Sequence, residues 1–249
     1  MSRPVRIASV TAGVARIEWD PDTAVAAVAA VVAEALVEHG RVEAWVDPDE
    51  RAELRTAAWS GLRREGVARG VAAGADRVVY ARLARDPAPD QPEGFRSLLN
   101  SFLPRKRAIT QLLIRDTGGR VLVCELTYKA DWDLPGGVVE VGESPRDAAS
   151  REVSEELSLE VPAGELLLTD WLPAWSGWDD ALCLVWDGGV HDASFIDPAV
   201  LEAKEIAAVH WCSPDEIREH CADFTARRIE AALARVAGSG QPYTESGRS

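Results

Sequence analysis

Apolar and polar residues alternate in two separate stretches of the chain, and each stretch predicts its own set of strands and helices. In the first stretch, strands of period two flank an alanine-rich helix, which we expect to be capped at Asp20 or Asp22 and ended by Gly40. The elements expected there are strands at residues 14–19, 41–46, 65–71 and 76–84 and helices at residues 20–40 and 49–61. The pattern therefore predicts a small α/β domain over residues 1–86.

A proline-rich stretch follows this first set of elements. Residues 84–95 combine prolines and acids with few apolar side chains, which is typical of a linker, and we expect the linker to occupy residues 87–104. The elements expected after it are strands at residues 108–114, 120–126, 165–172, 180–187 and 207–212 and helices at residues 144–158, 213–221 and 223–236. The sequence thus predicts a second domain over residues 105–236 and a disordered tail at residues 237–249.

The charge of the chain is concentrated in its second half. The net charge is −14, of which residues 1–100 contribute −2 (13 basic, 15 acidic) and residues 101–249 contribute −12 (14 basic, 26 acidic). A surface this acidic repels a phosphate backbone, so we expect no nucleic-acid polymer as a partner. Such a surface is compatible with binding of divalent cations.

Other compositional features point to a protein of the cytoplasm. No apolar run is long enough to span a membrane, and the first ten residues lack the apolar core of a signal peptide. The four cysteines are scattered without a C-x-x-C pair and are expected to be reduced thiols of the core: Cys124, Cys183, Cys212 and Cys221.

Three glutamates lie within five positions of the helix expected at residues 144–158. Glu152, Glu155 and Glu156 share one helix face. Like charges at this spacing destabilise a helix by about 0.3 kcal/mol for each pair. Ala149, Val153 and Leu157 form the apolar stripe beside them. Several carboxylates around one point suit a hard cation, and we expect Mg²⁺ or Mn²⁺ to offset the repulsion. An acidic, solvated helix face is the alternative explanation of these glutamates taken alone.

The spacing around the glutamates resembles the signature of the Nudix hydrolase family. Gly137 is followed after five residues by Glu143, and Glu143 after seven residues by the segment 151–156, REVSEE. The resemblance covers residues 105–236 and implies an α/β/α sandwich with a mixed sheet. Ser158 stands where the family usually has glycine, so the way this helix ends is left open.

The resemblance implies a role for each residue of the motif. The Gly136 carbonyl, Glu152 and Glu156 would be the main metal ligands, with Glu155 a further ligand or a contact to water. Arg151 would hold the glutamates through charge-assisted hydrogen bonds, and Glu143 would support the loop. The catalytic base would be Glu152 or a later glutamate such as Glu205, for which a solvated surface position is the alternative.

The same resemblance implies a substrate in which a diphosphate is joined to another group, often a nucleoside. Trp175 and Trp178 are candidates for stacking on a base, and Arg107 and Lys129 are candidates for contacting phosphate. For each of the four, an ordinary packing or surface position is the alternative. The expected partner is a small-molecule diphosphate, with neither a nucleic-acid polymer nor a membrane, and a homodimer is left open.

The first half resembles the closing part of a GNAT acetyltransferase over residues 14–86. The segments Gly61–Gly66 and Arg69–Gly70 stand where that family has its "GF-R-EG--RG" pattern. Acetyl-CoA binding needs a glycine-rich turn, and this chain has Asp20 and Asp22 there, which would repel phosphate. We therefore expect a truncated GNAT-like α/β domain that serves docking, dimerisation or substrate coverage.

Three functions remain open from the sequence. The leading one is metal-dependent hydrolysis of a nucleoside diphosphate derivative or a related organic pyrophosphate. The second is isomerisation of an isoprenoid diphosphate, which would need a cysteine in the pocket, and Cys124 is the candidate. The third is a sensor that binds a nucleotide without turnover.

Overall fold

The protein divides into two compact units, Met1–Pro104 and Arg105–Ser249, each with its own hydrophobic core. The structure is a computed structural model that describes residues 4–248. No helix within these residues is long and apolar enough to cross a membrane.

The first unit is a five-stranded sheet with three helices. The strands follow the spatial order β1-β2-β3-β5-β4, and β2 and β3 are parallel because α1 crosses between them. The elements are β1 (Val5–Thr11), β2 (Val14–Trp19), α1 (Val25–Glu38), β3 (Arg41–Val46), α2 (Arg51–Trp59), β4 (Arg63–Ala72), β5 (Ala75–Leu83) and α3 (Pro92–Phe102). Val28 and Val32 of α1 are fully buried in the core of this unit.

Three features of the first unit differ from the expectations. The sequence pattern missed β1, an edge strand in which only Val5 is buried. Helix α1 begins at Val25 and its N-cap is Ala24, so the aspartates at positions 20 and 22 do not cap it. The expected linker contains α3, which starts with Pro92 at its first position and buries Leu98. A short amphipathic helix can thus form inside a proline-rich segment.

The second unit is built on a mixed seven-stranded sheet. The strand order is β11-β7-β6-β10-β9-β12, with β8 paired to β6; β6 is parallel to β10, and β9 is parallel to β12. The elements are β6 (Arg107–Asp116), β7 (Val121–Leu126), β8 (Gly136–Val138), α4 (Pro145–Leu157), β9 (Leu166–Leu172), β10 (Ala181–His191), a 3-10 turn (Ala193–Ile196), β11 (Ile206–Cys212), α5 (Pro214–His220), α6 (Asp223–Val236) and β12 (Tyr243–Glu245).

Helices cover both faces of this sheet. Leu112 and Ile114 of β6 point toward α4, whereas Leu113 between them belongs to the core under α5 and α6. Because successive side chains of a strand point to opposite faces, a strand with two covered faces is apolar throughout. The expected α/β/α sandwich with a mixed sheet is confirmed.

The tail that we expected to be disordered contains β12. Thr244 is fully buried, and its hydroxyl donates to Asp170 over 2.7 Å. The Gly247 backbone N–H donates to the same carboxylate over 2.8 Å. Asp170 is itself buried, so these bonds to a charged acceptor order a segment that has little apolar surface of its own.

Candidate functional site

Helix α4, which carries the glutamates of the motif, forms where the sequence pattern predicts it. Ala149, Val153 and Leu157 are fully buried against the sheet, which confirms the apolar stripe. The helix begins at Pro145, and Ser144 occupies the N-cap position without a side-chain capping bond. It ends at Leu157, and Ser158 adopts the left-handed conformation (φ 54°) in which glycine is usual.

Glu156 is the most deeply placed carboxylate of this helix. Its side chain accepts a hydrogen bond from the Gly136 backbone N–H over 3.0 Å, and the residue is 6% exposed. Burial first, and then the neighbouring charges of Glu152 and Glu205, raise the pKa of Glu156 to about 8, although the hydrogen bond from Gly136 acts in the opposite direction. The fold therefore holds this carboxylate where its charge is poorly compensated by protein groups.

Gly136 and Gly137, the first two residues of β8, lie opposite α4, and we call this pair the glycine turn. Both positions require glycine because the backbone passes very close to its neighbours. A Cβ atom at Gly137 would lie 2.6 Å from the Glu152 carboxylate. At Gly136, where φ is +140°, a Cβ atom would lie 2.1 Å from the Thr110 carbonyl oxygen. The glycines thus leave space for the carboxylate on one side and for strand β6 on the other.

Arg151 connects the acidic residues to one another. Its guanidinium donates to both carboxylate oxygens of Glu143 over 2.8 and 3.0 Å, to Glu155 over 2.7 Å and to Glu152 over 3.0 Å. These bonds raise the pKa of Arg151, and the bond from Arg151 lowers the pKa of Glu143. The expected holding role of Arg151 fits this geometry.

Glu205 lies on the loop before β11, on the side of the glutamates of α4. Its negative charge contributes to the raised pKa of both Glu152 and Glu156. Its side chain is exposed, while its backbone carbonyl accepts a hydrogen bond from the Thr127 backbone N–H over 2.9 Å. The loop is therefore fixed by its backbone, and the carboxylate is free to face the site or the solvent.

The donors at this site suit a hard divalent cation. They are carboxylates and the carbonyl of a glycine turn, with neither sulfur nor imidazole among them. Within residues 4–248 no three His, Cys, Asp or Glu side chains are already drawn together in ligand geometry. In this structure Glu152 and Glu155 are instead hydrogen-bonded to the Arg151 guanidinium. The buried Glu156 carboxylate, whose charge the protein compensates poorly, is the observation that fits a cation.

A cavity of about 270 Å³ opens beside the glycine turn. We call it the tryptophan cavity, after two indoles in its wall, and its lining includes all four residues expected to bind substrate: Arg107, Lys129, Trp175 and Trp178. The two indoles are 56% and 59% exposed. The Arg107 guanidinium lies over the Trp178 ring at 4.8 Å, and Lys129 pairs with Asp133 over 2.8 Å.

A buried charge at the wall of this cavity was missed from the sequence. Arg228 of α6 is 2% exposed, donates to Asp170 over 2.9 Å and to the Gln111 side-chain carbonyl over 3.2 Å, and lines the cavity. The sequence signal for this buried charge is that an arginine lies among the buried positions of α6, between Thr225 and Ile229. The identity of its partner could not be read from α6 alone.

The comparisons with known proteins match the second unit of the chain. The family model of the NUDIX domain matches residues 104–233. The chain is 33% identical over 135 residues to the Nudix hydrolase YfcD of Salmonella typhi, covering 51% of this chain and 68% of that protein. It is 29% identical over 125 residues to the CTP pyrophosphohydrolase of Escherichia coli (strain K12), covering 45% and 78%. A solved MutT protein from Methanosarcina mazei Go1 aligns over 54% of this chain and 98% of its own, with 22% identity and a TM-score of 0.46.

The fold and the motif define an enzyme that acts on acid anhydrides in phosphorus-containing compounds. The chain belongs to the Nudix hydrolase family. Members of this family act on pyrophosphate bonds and typically use divalent metal ions. The family match begins at residue 104, and the GNAT-like assignment of residues 14–86 stays a prediction.

Proposed function

We propose that the protein hydrolyses a diphosphate linkage in a nucleoside diphosphate derivative, with Mg²⁺ or Mn²⁺ bound by α4 and the glycine turn. One observation carries the proposal: the turn that holds Glu156 also forms part of the wall of the tryptophan cavity. A diphosphate at the turn would place its attached group in that cavity.

The metal ligands in this proposal are the Gly136 carbonyl, Glu152, Glu155 and Glu156. A bound cation would supply charge neutralisation for the diphosphate oxygens and activation of a water molecule. Arg151 is the positioning residue: through Glu143 it is fixed to the loop before α4, so it can hold Glu152 and Glu155 in place when they face a ligand.

The general base in this proposal is Glu152 or Glu205. Glu152 is close to the glycine turn, and its pKa is raised chiefly by burial, which makes it a better proton acceptor. Glu205 is exposed and held on a loop fixed by its backbone. Exchange of Glu205 for glutamine separates them, because Glu205 is not among the proposed metal ligands. If Glu205 is the base, Glu205→Gln lowers kcat and leaves metal binding unchanged; a wild-type kcat in Glu205→Gln assigns the role to Glu152.

The walls of the tryptophan cavity favour a planar group next to the diphosphate. Trp175 and Trp178 expose more than half of their surface, and exposed indoles stack readily on nucleobases. The Arg107 guanidinium contacts the Trp178 ring and donates a hydrogen bond to the Asp179 carbonyl, and from this position it can also bind a phosphate oxygen. The named activity of one relative, a CTP pyrophosphohydrolase, supports a nucleotide substrate.

The isomerase alternative has no support in this geometry. Cys124, its candidate residue, is fully buried in the core under α4, and the raised pKa of the thiol is caused first by that burial. A thiol enclosed among aliphatic side chains is a core residue. A homodimer is still left open.

The test is hydrolysis of a substrate panel by the full chain. Nucleoside triphosphates, nucleotide sugars and dinucleoside polyphosphates are incubated with Mg²⁺ or Mn²⁺, and phosphatase is added to reveal monoester products. Glu152→Gln and Glu156→Gln should each abolish turnover, whereas Glu219→Gln, exposed on α5 outside the cavity, should leave it unchanged. Tight nucleotide binding without turnover of any substrate would instead indicate a sensor.

A further inference from the structure

The two parallel strands of the first unit separate at their carboxyl ends. The pairing of β2 with β3 covers three residue pairs and ends at Arg16 and Glu43, although the strands continue to Trp19 and Val46. The edges of β2 and β3 that face away from each other are paired along their whole length. Strand β1 pairs with β2 as far as Trp19, and β5 pairs with β3 as far as Val46. The peptide groups on the facing edges have no strand partner.

A cavity of about 370 Å³ occupies the gap. We call it the β2–β3 cleft, and its lining includes both strand ends, residues Ile17–Trp19 and Ala44–Val46. Trp19 and Trp45 contribute their indole rings, and each indole N–H is buried without a hydrogen-bond partner in the described part of the chain. These donors lie beneath the surface of the cleft, so the hydrogen-bonding groups that the cleft offers are those of the facing strand edges.

The charges at the cleft favour a cation. The acidic side chains in its lining are Glu18, Asp47, Glu50 and Glu53. Arg6 and Arg77 also line it, but they are already paired, with Glu18 over 2.6 Å and with Asp47 over 3.1 Å. In the salt bridges of residues 4–248, Glu50 and Glu53 have no partner. Their excess negative charge opposes a phosphate-bearing ligand.

The ionisation of Glu53 reflects the same excess of acidic groups at the cleft. Burial, followed by the charges of Glu50 and Asp47, raises the pKa of Glu53, and the nearby charge of Arg77 acts in the opposite direction.

We propose that the β2–β3 cleft binds an extended peptide segment that carries lysine or arginine. Its amide groups hydrogen-bond to the free edges of the strand ends, as in strand addition to an open sheet edge. Its cationic side chain meets Glu50 and Glu53 at the amino end of α2. The first unit is then a docking module for a basic partner, and this inference is independent of the substrate of the second unit.

The test uses the full chain and a defined probe, the capped peptide acetyl-Val-Lys-Val-Lys-Val-Lys-amide. Calorimetric titration should show saturable binding, and hydrogen exchange should slow at Ile17–Trp19 and Ala44–Val46. Combined Glu50→Gln and Glu53→Gln exchange should weaken binding about fivefold. Glu38→Gln, on the exposed surface of α1, is the matched control and should leave the affinity unchanged.

Two comparisons make the result decisive. A peptide with glutamate in place of each lysine should not bind, and spermidine, a cation without amides, should bind without slowing exchange at the strand ends. Absence of saturable binding of the lysine peptide overturns the proposal. Binding that survives loss of both glutamates unchanged, or that leaves exchange at both strand ends unchanged, overturns it equally.

Discussion

Exchange of Gly137 for alanine should disable the enzyme while leaving its fold intact. The added Cβ atom would lie 2.6 Å from the Glu152 carboxylate, whereas ordinary contact begins at 3.4 Å. The carboxylate must therefore move by about 0.8 Å, which it can do because it is the end of a flexible side chain. A displacement of about 1 Å at a reacting group costs on the order of 100-fold in rate. We expect kcat to fall by about that factor.

The neighbouring glycine provides the matched control. A Cβ atom at Gly136 would lie 2.1 Å from the Thr110 carbonyl oxygen and 2.7 Å from the Gln111 Cα atom, both parts of the backbone of β6. The φ of +140° adds strain for any other residue. Gly136→Ala should therefore lower the free energy of unfolding by about 3 kcal/mol or more and Tm by about 10 °C.

The two variants are compared by steady-state hydrolysis of the best substrate and by thermal unfolding followed by tryptophan fluorescence. Gly137→Ala should unfold within about 2 °C of the wild type. Wild-type kcat in Gly137→Ala, or a loss of Tm as large as that of Gly136→Ala, would refute the idea that this glycine makes room for Glu152.

Three further predictions concern stability. The pKa of Glu156 is raised to about 8, so ionisation of this carboxylate lowers the free energy of unfolding as pH rises from 4.5 through 8. Glu156→Gln should therefore have a higher Tm than the wild type at pH 9 in EDTA. Addition of Mn²⁺ should raise the Tm of the wild type and leave the Tm of Glu156→Gln unchanged. Ser158→Gly should raise the free energy of unfolding in urea by about 1 kcal/mol, since glycine relieves the left-handed strain, and no gain would contradict this. Asp170→Asn leaves Arg228 buried without a counter-charge and should cost about 3–5 kcal/mol by the same assay.

The motif and the helix that carries it could be predicted because their signals are local. The stripe of Ala149, Val153 and Leu157 has the period of a helix, and Pro145 marks its first residue. The spacing of the glycines and glutamates then sufficed to indicate the family, which the NUDIX match confirms. The roles of the individual glutamates stay predictions, because they depend on distances to a ligand.

Features that depend on contacts far apart in sequence could not be predicted. Strand β12 forms because Thr244 meets Asp170, 74 residues away. Arg228 is tolerated in the core because the same aspartate and Gln111 receive its hydrogen bonds. Strand β1 lies at a sheet edge, so its sequence carries little of the alternation that marks a half-buried strand.

The measurement that tests the central claim most directly is product formation from the substrate panel in Mn²⁺, with wild type, Glu156→Gln and Glu219→Gln side by side. We predict metal-dependent release of phosphomonoester by wild type and Glu219→Gln, and none by Glu156→Gln. Equal turnover by all three, or turnover by the wild type that survives EDTA, would contradict the assignment of the metal site to α4 and the glycine turn.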